Sequence, residues 1–370
     1  MNTHQHTLYC GSYNAANEAG IRAFTFDDAA GNLDPAWSLA GITNPSFIAL
    51  HPNGRWLYAV NETSQERDGM SGQAWSLLLP DQESAPRLLN SQASGGEWPC
   101  HLLLDATGKW LLVSNYSSGT LGVLPILPDG TLGAMTQHIQ HHGSGPHERQ
   151  QSPHVHSAIF TPDNHYAIVA DLGIDQLVVY AFDPASGQLQ EHAHVTMAPG
   201  SGPRHIAFHP SGRYLYVAHE LDNTVAMCAY DKIQGSLEVR QIIGTLPAEA
   251  PESTVADLHL TPAGDRLYVS NRGHDSIAVF TCAADGRLER SAIEACGGHW
   301  PRNFAIAPAG RFMLVANQES NEVTVLPLSS TTNAPGSHVH GRAFRELRVC
   351  YSLLISNIFT ASAFSERIIR

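Results

Sequence analysis

In this chain of 370 residues, the groups best suited to acid–base and anion chemistry sit at the ends of short apolar runs, not inside them. Six runs are led in by Ser46/Phe47, Cys100/His101, His156/Ser157, Arg204/His205, Ala256/Asp257 and Arg302/Asn303. Their partner runs are followed by Asn61/Glu62, Asn115/Tyr116, Asp171/Leu172, His219/Glu220, Asn271/Arg272 and Asn317/Gln318, with Ser12/Tyr13 in the first segment. Carboxylates and imidazoles transfer protons near neutral pH, and guanidinium forks bind oxyanions, phosphates and carboxylates. Taken singly, Arg204, Glu220 or Arg272 reads as solvated surface; gathered on one rim, they read as a site. Asn61, Asn115 and Asn317 serve equally well as turn caps.

The elements that position these groups follow from a repeat. An apolar run, a turn of the x-P-x-G kind and a second apolar run recur as 47–62, 101–116, 157–172, 205–220, 257–272 and 303–318. The turns start at His51, Asp105, Thr161, His209, Thr261 and Ala307, at spacings of 54, 56, 48, 52 and 46 residues. Val, Leu, Tyr and Ile dominate the flanks, so each unit opens with a β-hairpin. A third strand, such as 177–184 or 276–283, follows, often with a Gly-x-Leu turn (31–33, 130–132, 187–189, 235–237, 286–288) and a fourth strand. Four antiparallel strands in about 50 residues make one propeller blade. Residues 7–40 supply three strands of a seventh blade, whose innermost strand must come from the C-terminus. The expected fold is all-β: one seven-bladed β-propeller domain over 1–340, closed by N- and C-terminal strands. Because the hairpin turns lie on one face of the ring, the polar run ends converge on the other, around the central channel.

Composition narrows the function. A formal charge of −13 argues against nucleic acid or anionic membrane as a partner, and the chain has no apolar run of transmembrane length. The N-terminus lacks a signal-like h-region, which predicts a cytoplasmic protein. Six scattered cysteines without a CxxC suggest neither a zinc ribbon nor a disulfide framework. Segment 137–156 holds six His; His154 and His156 would point to opposite faces of a strand, so the segment is read as a polar loop reaching the funnel, not a metal site. No metal or cofactor is called for, and the oligomeric state is left open.

Segments 143–173, 200–225 and 267–280 resemble the signature motifs of the seven-bladed lactonase family, which includes cycloisomerase-type 6-phosphogluconolactonases and carboxy-muconate cyclases. The resemblance spans about residues 7–328. It implies metal-free lactone chemistry at His156 (in PHVHS), Arg204 (in GPRH), Glu220 (in AHEL) and Arg272 (in SNRG), all of which already stand at the run ends described above. The implied reaction is hydrolysis of 6-phospho-D-glucono-1,5-lactone, a small anionic sugar lactone. Glu220 is the candidate general base, His156 the proton donor or second base, and the two arginines bind an oxyanion or phosphate. His101, His154, His205, Asp257, Asn271 and Arg302 are further candidates for contacting substrate. A muconate-type lactonising enzyme and a non-enzymatic binding propeller are the alternatives.

The pattern stops after Leu328. Residues 341–370 carry five Arg and two Glu and lack Lys and Asp. This atypical tail either supplies the closing strand, through 348–356, or is a divergent or frame-shifted end.

Overall fold

The computed structural model describes residues 4–80, 85–328 and 350–356. They form seven antiparallel sheets arranged as a β-propeller. Blade 1 comprises Gln5–Ser12, Ile21–Asp27 and Asn32–Leu39, with Cys350–Ser356 as its inner strand. Blades 2 to 6 begin with inner strands Ile48–Leu50, Pro99–Leu104, Val155–Phe160, Pro203–Phe208 and Thr254–Leu260, and each has four strands. Blade 7 has three among the described residues: Pro301–Ile306, Phe312–Asn317 and Glu322–Pro327. Helix is limited, among the described residues, to Gln65–Asp68, capped by Ser64, and the 3₁₀ turn Leu172–Ile174.

Each blade is covered on both faces by its neighbours, which is why the second strands are apolar at successive positions instead of alternating. Leu57, Tyr58, Ala59 and Val60 are all fully buried. The apolar clusters lie between blades: Leu112, Leu121 and Val123 of blade 3 pack with Ala167, Val169 and Val178 of blade 4. Full burial of such a side chain contributes about 1.5–3 kcal/mol.

The Gly-x-Leu turns lock adjacent blades. In blades 2 to 5 the aromatic residue opening the second strand lies flat against the next blade's turn glycine: Trp56 on Gly130, Trp110 on Gly187, Tyr166 on Gly235 and Tyr214 on Gly286. Those glycines have positive φ, and a Cβ there would overlap the ring. Phe312 of blade 7 meets Gly31 of blade 1 in the same way, across the ring junction.

That junction is also bridged by the C-terminal segment. Cys350–Ser356 pairs with Gln5–Ser12 from Thr7↔Ser356 to Ser12↔Cys350. It stands between the inner strands of blades 7 and 2, completing the circle of inner strands around the channel. Leu353 is buried, and its amide donates to Asn303 Oδ1 at 2.7 Å. On the outside, Asp28 of blade 1 accepts the Ala309 amide at 2.8 Å and lies 3.9 Å from Arg311, both of blade 7. Residues 329–349 and 357–370, the rest of the tail discussed above, lie outside the described residues. Cys10 is disulfide-bonded, although the scattered spacing of the cysteines gave no sign of a bridge; Cys100, Cys228, Cys282 and Cys296 are free thiols.

Candidate functional site

The inner strands do not run regularly into the funnel. In blades 3 to 7 the ladder to the second strand shifts register at the leading end, between Pro99/His101, Val155/Ser157, Pro203/Ile206, Val255/Leu258 and Pro301/Asn303. The residues bulged out of the ladder are Cys100, His156, Arg204 with His205, Ala256 with Asp257, and Arg302. A bulge re-aims side chains and frees backbone carbonyls. The freed carbonyls are used: Arg204 Nη1 donates to Ala256 O at 2.5 Å and Arg272 Nη2 to Val255 O at 2.9 Å. Just before two of these bulges, Trp98 and Trp300 have φ of 51° and 64° immediately ahead of a proline. Positive φ in a bulky side chain is costly and persists only when the surrounding structure enforces it. Trp98 lines the funnel, and Trp300 lies 5.8 Å from the Arg272 guanidinium.

Glu220 is the centre of the site, with its side chain 4% exposed. Arg149 Nη2 is 2.7 Å and Arg272 Nη2 3.1 Å from Oε1; Arg204 Nε is 2.9 Å and His156 Nε2 3.8 Å from Oε2. Burial opposes ionisation of Glu220, but Arg272, Arg204 and Arg149 prevail and hold the carboxyl well below its ordinary range. Burial, reinforced by Arg204, keeps His156 neutral, well below the usual imidazole range. Burial also pulls Arg272 down to about 9, against the pull of Glu220. The buried Nε–H groups of Arg204 and Arg272 lack an aligned hydrogen-bond acceptor, a deficit that native interiors seldom carry without a functional reason.

The funnel cavity around this cluster has a volume of about 340 Å³ and is walled by Tyr13, Glu62, Trp98, Tyr116 and Arg302 in addition to the cluster. Cys100 Sγ lies 4.0 Å from His156 Nδ1, and burial raises its thiol pKa, so the sulfur stays protonated. A neck of about 10 Å³ involving Arg204, His205 and Arg302 separates this cavity from a second one of about 550 Å³. The second cavity reaches the hairpin-turn face at Pro210, Thr261 and Pro262.

The four residues implied by the resemblance, His156, Arg204, Glu220 and Arg272, are thus brought together. The further candidates divide. Arg302 joins the funnel cavity. His101, His205 and Asp257 line the second cavity, where Asp257 bridges His205 Nδ1 at 2.7 Å and His259 Nε2 at 2.9 Å. His154 supports the wall from behind: its Nδ1 contacts Tyr116 O at 2.9 Å and its ring stacks on Tyr116. Asn271 bonds Ser276 within its own hairpin. Asn61, Asn115 and Asn317 bridge strand ends as caps. Of the loop histidines, His141 is buried between Asp171 and Tyr180, and His138 contacts Gly95 O. Only His156 of that segment joins the Glu220 cluster.

Sequence reasoning missed Arg149. The segment does reach the funnel as expected, but besides the His156 imidazole at its end it delivers a guanidinium. The one available signal was a cation in a segment already directed at the rim.

Comparison with known proteins agrees with this fold. The family model "Lactonase, 7-bladed beta-propeller" matches residues 7–345. A Bacillus subtilis 6-phosphogluconolactonase is 35% identical over 88% of this chain and 91% of its own length. A Formosa agariphila 6-phosphogluconolactonase is 33% identical over 86% and 91%. The solved structure of a Pseudomonas aeruginosa periplasmic gluconolactonase superposes with a TM-score of 0.89 at 32% identity, covering 95% of this chain and 99% of that one. The chain belongs to the seven-bladed β-propeller lactonase family.

Proposed function

We propose that this lactonase hydrolyses 6-phospho-D-glucono-1,5-lactone to 6-phosphogluconate, a step of the pentose phosphate pathway. The observation that carries the reading is the charge balance of the funnel. Four guanidinium groups (Arg149, Arg204, Arg272, Arg302) face two carboxylates (Glu62, Glu220) beside a neutral His156. A surplus of cations gathered around one cavity, two of them buried, is unfavourable unless an anion completes it, and a phosphate monoester supplies close to two negative charges near neutral pH. The names carried by the Bacillus and Formosa relatives favour the same substrate.

The roles follow from the protonation states. Glu220, held ionised with both oxygens taken up by arginines, is poorly suited to accept a proton, so we assign it to orienting the cluster and stabilising a protonated His156. His156, already neutral, takes a proton from the attacking water. The water oxygen bonds to the lactone carbonyl carbon while Arg204 and Arg272 stabilise the oxyanion. When the bond from that carbon to the ring oxygen breaks, His156 returns the proton to the leaving alkoxide, and the product acid ionises to solvent.

The test is spectrophotometric or NMR-monitored decay of 6-phosphogluconolactone, with glucono-1,5-lactone and a carboxy-muconolactone in parallel. Acceleration greatest for the phosphorylated lactone is expected. Failure to accelerate it above the uncatalysed rate would overturn the reading.

A further inference from the structure

We propose that Arg149 and Tyr116 form an anion subsite at the mouth of the funnel that receives the phosphate of a phosphorylated ligand and sets the preference for phosphorylated over unphosphorylated sugar acids and lactones. The inference rests on the phosphosugar reading above and assigns one end of that ligand to particular atoms.

The three arginines around Glu220 are not equivalent. Arg204 and Arg272 arise from strand ends, have side chains 3% and 6% exposed, and each spends a donor on a backbone carbonyl. Arg149 comes from the loop between blades 3 and 4, and its side chain is 40% exposed. Both of its contacts, to Glu220 Oε1 and to Tyr116 Oη at 3.1 Å, run through Nη2. That leaves the N–H groups of Nη1 and Nε, which lie on different sides of the plane's rim, each able to donate to an oxyanion, and a bidentate grip becomes available when Nη2 is released from Glu220. Arg149 can leave Glu220 without stranding that oxygen, because Arg272 Nη2 remains 3.1 Å away.

The backbone beneath it is built to hold this position. Gln150, fully buried, donates from Nε2 to Leu172 O and Asp175 Oδ1, each at 2.7 Å, while its Oε1 accepts the His147 amide at 3.0 Å. Gly145 N donates to Gln150 O at 2.9 Å. The main chain next to Arg149 is therefore fixed while its guanidinium faces solvent. Tyr116 is held equally firmly, its ring stacked on His154 at 4.5 Å and edge-on to His156 at 5.5 Å. Burial raises its pKa, so the hydroxyl remains a hydrogen-bond donor. A ligand whose carbonyl lies by His156 and whose phosphate is at its far end would present that phosphate to this pair.

The experiment is calorimetric titration of 6-phosphogluconate and of gluconate into the full-length protein and into Arg149→Met, Arg149→Lys and Tyr116→Phe, together with the ratio of kcat/KM for the two corresponding lactones. Wild type should bind the phosphorylated acid at least tenfold more tightly. Arg149→Met should reduce that preference tenfold to a hundredfold, the scale of a lost charge-assisted contact. Arg149→Lys should restore part of it, and Tyr116→Phe should cost a few-fold. If Arg149→Met weakens both ligands equally and leaves the ratio unchanged, Arg149 only supports Glu220 and the subsite is refuted. Absence of any wild-type preference refutes it as well. Lactone decay by the wild-type protein tests the hydrolytic reading separately, because the binding ratio does not require turnover.

Discussion

Replacing Glu220 with Gln removes one charge from the most crowded electrostatic point in the protein. Its three ion pairs lie at 2.7, 2.9 and 3.1 Å. At an effective dielectric of about 20, each is worth roughly 5–6 kcal/mol of gross attraction. Most of that is offset by desolvation and by repulsion among the guanidinium groups, and the measured cost of stripping one partner from a buried pair is about 3–5 kcal/mol. That cost is smaller than the roughly 5–15 kcal/mol by which domains are typically stable, so E220Q should remain folded with a lower Tm, the Gln amide oxygen still accepting from one arginine. Its catalytic loss should be larger than the melting shift suggests. Without the carboxylate, the imidazolium of His156 has three cations near it and no counter-charge, and kcat should fall about 10²–10³-fold. The smaller variant Glu220→Ala opens space for a free carboxylate, so added formate should restore part of the rate. Circular dichroism melting, steady-state lactone decay and formate titration read these effects. A folded E220Q protein with kcat within threefold of wild type would refute the assigned role of Glu220.

Further outcomes are expected. His156→Asn should lower kcat/KM at least about 10²-fold with little change in the melting curve; a smaller loss in the lactone assay would move the proton-transfer role elsewhere. Deleting 341–370 removes the strand paired with Gln5–Ser12 and the buried Leu353, and should lower Tm by more than about 5 °C; an unchanged Tm would exclude a closing role for the segment. Stability should fall as pH drops from 7.5 to 5. Burial lowers the pKa of His101, His156, His205 and His219, the last two to about 4. Between those values and the ordinary imidazole range, the unfolded chain binds protons that the folded chain refuses, so acid favours unfolding. His259, His299 and Asp222, the last pushed up to about 6, have the opposite sign but are fewer. A Tm that rises toward pH 5 would contradict this balance.

The repeat was legible because each blade must bury both faces with one local pattern: apolar strand, x-P-x-G turn, apolar strand, Gly-x-Leu turn. Those periodicities are local, so the linear sequence carries them, and with them the convergence of polar strand ends such as Glu220 and Arg272 on one face. Depth within the channel was not legible. His101, His205 and Asp257 hold strand-end positions like those of His156 and Arg204, yet they line the cavity on the other side of the neck, because a register shift of one residue decides which way each side chain at or beside the bulge points. Nothing in the residue types announces a bulge. Arg149 escaped for a related reason: its role depends on where a loop pinned by the distant Asp175 comes to rest. The sequence by itself therefore determined the number of blades and the face that bears the site, since both follow from local hydrophobic and turn chemistry. Only the tertiary structure decided that Glu220 is ringed by three arginines and held ionised, because that protonation state is set by burial and by charges brought together from two different blades and a loop.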